Sequence, residues 1–252
     1  MTTIDRTTRR EAAEGAASAP EEQLPTRNDD LLYVGLSDGA AFEAGSLKYL
    51  YGSHVQTLLP VDGKALGDRD AIDAYVATFG LDPATSRAIG DVIASGAASE
   101  RGELAQLAKA WAPAEKGERI PGRLVLSGHH GESGNQIYGE PWGADKGWTA
   151  LRFEKIEALA KAMPHAARAV DDVFLSACNT ETDAGKASIE PLRRAFPTAR
   201  TITGYDAKCP TKAGAVVQMQ AWEQLTRGAA DPRTVPSVSM LVIEHPARHH
   251  RS

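Results

Sequence analysis

The chain has 252 residues, of which 42% are hydrophobic and 24% charged, and its formal net charge is -5 at neutral pH. These values are ordinary for a globular protein with a substantial core, and the acidic balance gives no electrostatic reason to expect nucleic acid or an anionic membrane as a partner. No apolar stretch approaches the roughly 20 residues that a membrane-spanning helix needs, so we expect no insertion into a membrane.

The termini and the cysteine content favour a cytoplasmic protein. Residues 1–28 are polar and lack periodic apolar positions, so we expect a disordered tail there and no secretory signal. Residues 246–252 are expected to form a flexible C-terminal tail. The two cysteines, Cys178 and Cys209, are too few for a disulfide framework and suit a reducing compartment. A bridge between them stays open as an alternative.

Between the tails, residues 29–245 are predicted to form one α/β domain. Strands are predicted, in chain order, at residues 31–36, 54–59, 124–126, 173–175, 199–204 and 238–243. Helices are predicted after Gly39, at residues 71–78, from Pro83, and at residues 103–111, 153–163, 189–196 and 211–227. Residues 131–148 lack apolar runs and predict a mobile or surface loop. Strands that alternate with helices are typical of a mostly parallel sheet with helices on both faces, so we expect a three-layer sandwich.

Two of the predicted strands end at the most reactive side chains of the chain. The first is followed by His129, His130 and Gly131, and the second by Cys178. Because ligands bind outside the carboxyl ends of the strands in open α/β sheets, we expect these groups to share one crevice. The order along the chain is histidine first and cysteine second, with His130 lying 48 residues before Cys178.

These residue types can carry nucleophilic catalysis. A thiol attacks a carbonyl only as the thiolate, so a nucleophilic cysteine needs a base or a positive field beside it, which a neighbouring histidine supplies. The tetrahedral intermediate needs backbone donors, and the N–H groups of Gly131 and Cys178 are the predicted pair. The two strand ends therefore predict a cysteine hydrolase with Cys178 as nucleophile and either His129 or His130 as base.

The two strand ends resemble the caspase-like cysteine peptidases, a group that includes caspases, metacaspases, gingipains, separases and the bacterial CHAT-domain proteins. The shared pattern is a strand ending in His-Gly and a later strand ending in Ala-Cys, with the histidine about 50 residues upstream of the cysteine. This chain has His130-Gly131 and Ala177-Cys178. The CHAT branch is the most similar, because its cysteine strand resembles the sequence LSAC and continues into a glycine-containing loop, here residues 179–185. The resemblance covers residues 123–214.

The resemblance implies a cytoplasmic cysteine endopeptidase with a caspase-like three-layer fold, acting on protein or peptide substrates without a cofactor or a metal. It selects His130, the histidine before the glycine, as the base, and it leaves His129 as a substrate contact or a structural residue. Residues 62–117 have no match in the group and are expected to be an insertion. A regulatory protein partner stays open.

The resemblance also implies a specificity pocket. In caspases the strand after the cysteine strand ends with an aromatic residue and an arginine that holds the substrate's aspartate. The corresponding strand here ends with Tyr205 and Asp206, so the charge is inverted and we expect cleavage after arginine or lysine. Ser176 replaces the glutamine that caspases have before Ala-Cys and is assigned to substrate binding together with Tyr205. A turn aspartate at a strand end is the alternative for Asp206.

Each reactive residue also has a structural alternative. A cysteine after a strand is often a small core residue, and Cys209, which precedes a proline, is expected to be an incidental loop thiol. Adjacent histidines are poor partners for one metal ion, and no cluster with ligand spacing accompanies them. At the level of the whole protein, the alternatives are a caspase-like interaction or signalling module with little activity, and a cysteine hydrolase or acyltransferase that acts on a small molecule.

Overall fold

The computed structural model describes residues 29–61, 63–131, 134–142, 147–227 and 241–244. Its strands are β1 (Leu31–Gly35), β2 (Val55–Leu58), β3 (Arg123–Ser127), β4 (Gln136–Trp142), β5 (Gly147–Arg152), β6 (Asp172–Ser176), β7 (Thr201–Tyr205) and β8 (Leu241–Glu244). Its helices are α1 (Ala40–Tyr51), α2 (Arg69–Ala77), α3 (Pro83–Ser95), α4 (Ala98–Glu115), α5 (Phe153–Ala162), α6 (Pro164–Ala169), α7 (Asp183–Ser188), α8 (Glu190–Ala195) and α9 (Ala213–Thr226). Both predicted tails lie outside the described residues.

A six-stranded sheet forms the middle layer, in the order β2-β1-β3-β6-β7-β8. The first five strands in this order pair in parallel, and β8 pairs antiparallel with β7. Parallel neighbours need crossover connections, and helices supply them here. The predicted α/β class and the mostly parallel sheet are confirmed.

Two hydrophobic clusters cover the two faces of the sheet, because successive side chains of a strand point to opposite faces. Leu32 and Val34 of β1 face one cluster, to which α2 to α6 and α8 contribute. Leu31 and Tyr33 face the other, to which α1 and α9 contribute. The molecule therefore has the three-layer arrangement expected from the sequence.

The region predicted to be an insertion forms most of one helical layer. Asp68 and Asp82 cap the starts of α2 and α3, as expected for an N-cap side chain that accepts backbone N–H groups. The helix α4 contributes Trp111, whose fully buried ring packs edge-on against Phe196 at 5.9 Å. Residues 63–117 thus belong to the hydrophobic core and are not a separate appendage.

The loop prediction for residues 131–148 is wrong, because β4 and β5 form an antiparallel hairpin. Gly139 and Pro141 interrupt the alternation that would have marked a strand, and the pairing register shifts between Tyr138 and Pro141. Gly139 is required there, since a Cβ atom at this position would lie 1.8 Å from the carbonyl oxygen of Leu36. Within the described ranges, no helix has the length and apolar character needed to cross a bilayer.

Candidate active site

The two reactive strand ends lie side by side at one edge of the sheet. The strands β3 and β6 pair in parallel along their whole length, with Ser127 opposite Ser176. The N–H of Gly128 extends the pairing by donating to the carbonyl oxygen of Ser176 over 3.2 Å. His130 and Cys178 follow directly beyond these pairs, so the sheet itself brings the two residues together.

Three oxygen atoms hold the buried ring of His130. Its Nδ1 atom lies 2.9 Å from the carbonyl oxygen of Cys178. On the other side, Nε2 lies 3.0 Å from the carbonyl oxygen of Gly134 and 3.1 Å from Oγ of Ser188. The ring also packs on Phe153, with centroids 5.7 Å apart. The imidazole is therefore fixed with its Nδ1 edge toward Cys178.

All three partners of the ring can accept a hydrogen bond. The hydroxyl of Ser188 donates to the carbonyl oxygen of Gly185 over 2.7 Å, so its oxygen is free to accept from His130. Both carbonyl partners of the ring are acceptors as well. Both nitrogens of the His130 ring therefore face oxygen atoms that accept hydrogen bonds.

The thiol of Cys178 bonds to a residue that the sequence did not single out. Its Sγ atom lies 3.1 Å from Sγ of Cys209, and the Cys209 N–H donates to it over 3.3 Å. Both cysteines are free and half-buried. Among the described residues the hydrogen-bonding partner of the thiol is Cys209, while His130 binds the carbonyl of Cys178.

The environment keeps Cys209 protonated. Burial raises the pKa of its thiol to about 12, and the hydrogen bond and charge of Cys178 and the charge of Glu43 act in the same direction. Glu43 is itself buried on α1, where one of its carboxylate oxygens accepts from the hydroxyls of Tyr33 and Ser127 over 2.7 Å each.

The loop that carries Cys178 is bent sharply and packed closely. Asn179 has a φ of 56°, a left-handed conformation that asparagine tolerates better than most residues. A Cβ atom on Gly185 would lie 1.9 Å from the carbonyl oxygen of Asn179, and one on Gly204 would lie 2.1 Å from Oγ1 of Thr180. The two glycines therefore let α7 and β7 approach the loop from both sides.

Two backbone donors at the site lack a partner within the described ranges. Neither the N–H of Gly131 nor the N–H of Cys178 donates to a described residue, although the N–H groups of Gly128 and Asn179 do. Space around Gly131 is open, since a Cβ atom built there meets nothing within 4 Å. The two predicted oxyanion-hole donors are thus available to a bound oxygen atom.

His129 points to a different partner from His130. Its Nε2 bonds to the carboxylate of Glu140 on β4, and its backbone pairs with Tyr138. The N–H of Asp38 donates to the same carboxylate over 2.7 Å. Burial acts to raise the pKa of Glu140, but the bonds from His129 and Asp38 outweigh it and leave that pKa lowered. His129 therefore anchors the hairpin beside the site.

The predicted substrate residues lie in different surroundings. Ser176 is buried at the end of β6, and the ring of Tyr205 is fully buried against Phe174 at 5.7 Å. Either side chain would have to leave the core to contact a substrate. Asp206 follows β7, is exposed, and has no bonded partner in the described part of the chain. Of Ser176, Tyr205 and Asp206, only Asp206 has a side chain that a ligand can reach from solvent.

Sequence reasoning missed two contributors to the site, Gly134 and Ser188. Both act through the Nε2 side of His130, and no motif marks them. Cys209 was expected to be an incidental loop thiol, with a bridge to Cys178 as the alternative. Its sulfur contacts that of Cys178, which makes the incidental assignment wrong.

No family model matches the chain, and a comparison with curated proteins finds no match either. Within the described ranges, no group of three or more His, Cys, Asp or Glu side chains is arranged to hold a metal ion. What the site offers chemically is a thiol, an imidazole whose two nitrogens face acceptors, and two free backbone donors.

Proposed function

We propose that the protein is a caspase-like cysteine endopeptidase in which Cys178 is the nucleophile and His130 the acid–base residue. The observation that carries this proposal is the position of the His130 ring, whose Nδ1 atom lies 2.9 Å from the main chain of Cys178 while Nε2 is held from behind.

In the proposed reaction, the Cys178 thiolate attacks the carbonyl carbon of the scissile peptide bond. The negative charge that develops on the carbonyl oxygen is stabilised by the N–H groups of Gly131 and Cys178. The His130 imidazolium gives its Nδ1 proton to the leaving amine, which departs and leaves a thioester on Cys178. The neutral ring then takes a proton from water, and the hydroxide hydrolyses the thioester.

The proposed substrate is a protein or peptide with arginine or lysine on the amino side of the scissile bond. Support for this comes from Asp206, an exposed carboxylate without a partner in the described part of the chain, on the segment that also carries Cys209. A guanidinium can form paired, charge-assisted hydrogen bonds with a carboxylate. A cytoplasmic location and a regulatory protein partner stay predictions from the sequence.

The experiment is covalent labelling with a peptide that carries arginine before an electrophilic group. We expect one adduct on Cys178 in the wild type, none in Cys178→Ala, and labelling slowed about 10²–10⁴-fold in His130→Ala. The control is His165→Ala, which removes an exposed histidine of α6 that lies 3.7 Å from Glu115. It should label like the wild type.

A second candidate function, an interaction module with little activity, has one observation in its favour. The Cys178 thiol bonds to Cys209, and the His130 ring bonds to main-chain oxygens and Ser188, so each group already has partners. A folded wild-type protein that leaves the arginine probe unreacted would favour this candidate. Labelling that persists in Cys178→Ala would reject the assigned nucleophile.

A further inference from the structure

The two thiols of the chain lie within about 1 Å of bonding distance. Their sulfur atoms are 3.1 Å apart, and a disulfide has an S–S length of about 2.05 Å. Both thiols are free and half-buried, so small oxidants can reach the pair. The chain contains only these two cysteines, and no third thiol competes for either of them.

Backbone hydrogen bonds hold the two cysteine segments together, so the proximity does not depend on side-chain rotamers alone. Asn179, which follows Cys178, donates its N–H to the carbonyl oxygen of Ala207 over 2.9 Å. Glu181 donates to the carbonyl oxygen of Tyr205 over 2.9 Å, and the Cys209 N–H donates to the Cys178 sulfur over 3.3 Å. The segments are thus fixed on both sides of the thiol pair.

The surroundings of the two thiols differ, which assigns them different roles. Cys178 has the ring of His130 at its main chain, and a protonated ring favours a thiolate nearby. Cys209 lies over the buried Glu43 carboxylate, and burial together with the charges of Cys178 and Glu43 raises its pKa to about 12. Conversion of Cys178 to a neutral sulfenic acid would remove one of these charges and ease the ionisation of Cys209.

We propose that Cys178 and Cys209 form a modification site for hydroperoxides, in which Cys178 is oxidised first and Cys209 closes a disulfide. In the first step the Cys178 thiolate attacks one peroxide oxygen; the S–O bond forms, the O–O bond breaks, and the other oxygen leaves as water or an alcohol after protonation. In the second step the Cys209 thiol gives up its proton to solvent and the thiolate attacks the Cys178 sulfur; the S–S bond forms, the S–O bond breaks, and the departing hydroxide takes up a proton and leaves as water. Two thiols are oxidised and one hydroperoxide is reduced.

This site goes beyond the proposed peptidase activity and does not depend on it. If Cys178 is the peptidase nucleophile, the disulfide blocks it reversibly and protects it from the irreversible sulfinic and sulfonic states. A dithiol reductant would restore both thiols. If Cys178 is not a peptidase nucleophile, the pair still forms the same bridge.

The test treats the reduced wild-type protein with one equivalent of hydrogen peroxide and then maps its peptides without reduction. We expect both free thiols to be lost together, the Cys178 and Cys209 peptides to be joined within one monomer, and dithiothreitol to restore both thiols. Oxidation of Cys178 to the sulfinic acid with Cys209 still free, or joining only between two molecules, would overturn the proposal.

The matched variant is Cys209→Ser, which keeps the size of the side chain and removes the resolving thiol. Dimedone, which traps sulfenic acids, should label Cys178 in this variant and leave the wild type almost unlabelled. Equal dimedone labelling of the two proteins would also overturn the proposal. Because the wild-type peptide map is decisive by itself, a variant that fails to fold does not affect the outcome. Neither step measures peptidase activity. The bridge can therefore be detected even if the arginine probe fails to react with the protein.

Discussion

Ser188 and His130 are joined by a contact of 3.1 Å between Oγ and Nε2, on the side of the ring that faces away from Cys178. Because the Ser188 hydroxyl donates to the carbonyl oxygen of Gly185, its oxygen is free to accept from the ring and to hold the ring in position. A hydrogen bond of this kind contributes about 0.5–1.5 kcal/mol.

Ser188→Ala is therefore expected to lower kcat about tenfold and to leave KM near the wild-type value, while the fold is retained. The control is Ser95→Ala on α3, whose hydroxyl makes a similar bond to the carbonyl oxygen three residues earlier and lies on the surface. A Ser188→Ala enzyme with the wild-type kcat would show that the contact only packs the helix.

Replacement of Gly131 separates the role of its N–H from the role of its small size. Gly131→Pro removes the donor and should lower turnover about 10²–10³-fold, the usual effect of losing one oxyanion-hole donor. Gly131→Ala keeps the donor, its Cβ atom meets nothing within 4 Å, and Gly131 is not among the residues with positive φ, so activity should stay near the wild-type value. Circular dichroism of both variants checks the fold. Equal activities of the two folded variants would contradict the assigned role.

Asp206 is expected to set the preference for a basic residue in the substrate. Asp206→Asn and Asp206→Ala should both lose about tenfold in kcat/KM for an arginine substrate relative to a neutral one, because neither variant can form paired, charge-assisted hydrogen bonds with the guanidinium. Reaction of Cys178 with iodoacetamide should stay unchanged, since Asp206 does not contact the thiol. A peptide library cleaved after acidic or small residues by the wild type would contradict this assignment.

Glu103 is expected to make the protein less stable as the pH rises. Burial on α4 raises the pKa of its carboxyl from 4.5 to about 7, and the charge of Glu100 adds a smaller increase. A hydrogen bond from the Val61 N–H acts in the opposite direction and lowers this pKa in part. The folded state therefore holds the proton more tightly than the unfolded state. The contribution of Glu103 to the free energy of unfolding is fully present below about pH 4.5 and is lost as the pH rises through about 7. The free energy of unfolding falls by about 3 kcal/mol over this range.

Urea unfolding at pH 5 and pH 8 tests this prediction. Glu103→Gln cannot ionise, so its free energy of unfolding should fall by about 3 kcal/mol less than that of the wild type between the two pH values. Glu154→Gln, at an exposed position of α5, is the control and should follow the wild type. Identical pH dependence of all three proteins would show that Glu103 is not the responsible group.

The sequence predicted the sheet and the strands that carry His130 and Cys178, because buried parallel strands are short apolar runs with abrupt ends. It did not predict the β4–β5 hairpin, since Gly139 and Pro141 break the alternation on which strand prediction depends. The contact of Cys209 with Cys178 depends on how the chain returns over β6 after β7, which no local pattern encodes. Ser188 could not be identified for the same reason, because its position depends on close packing at Gly185.

The residues that hold the Cys178 loop in place are synthesised after Cys178. The carbonyl oxygens of Tyr205 and Ala207 and the N–H of Cys209 all bind the loop of residues 178–181, about thirty residues after the thiol emerges during synthesis. Such non-local pairings form late, because the entropy of closing the intervening loop must be overcome first. A nascent or truncated chain that ends before β7 would contain His130 and Cys178 but would lack the hydrogen bonds that hold the loop of residues 178–181. The geometry of the loop that carries Cys178 is therefore coupled to completion of the sheet.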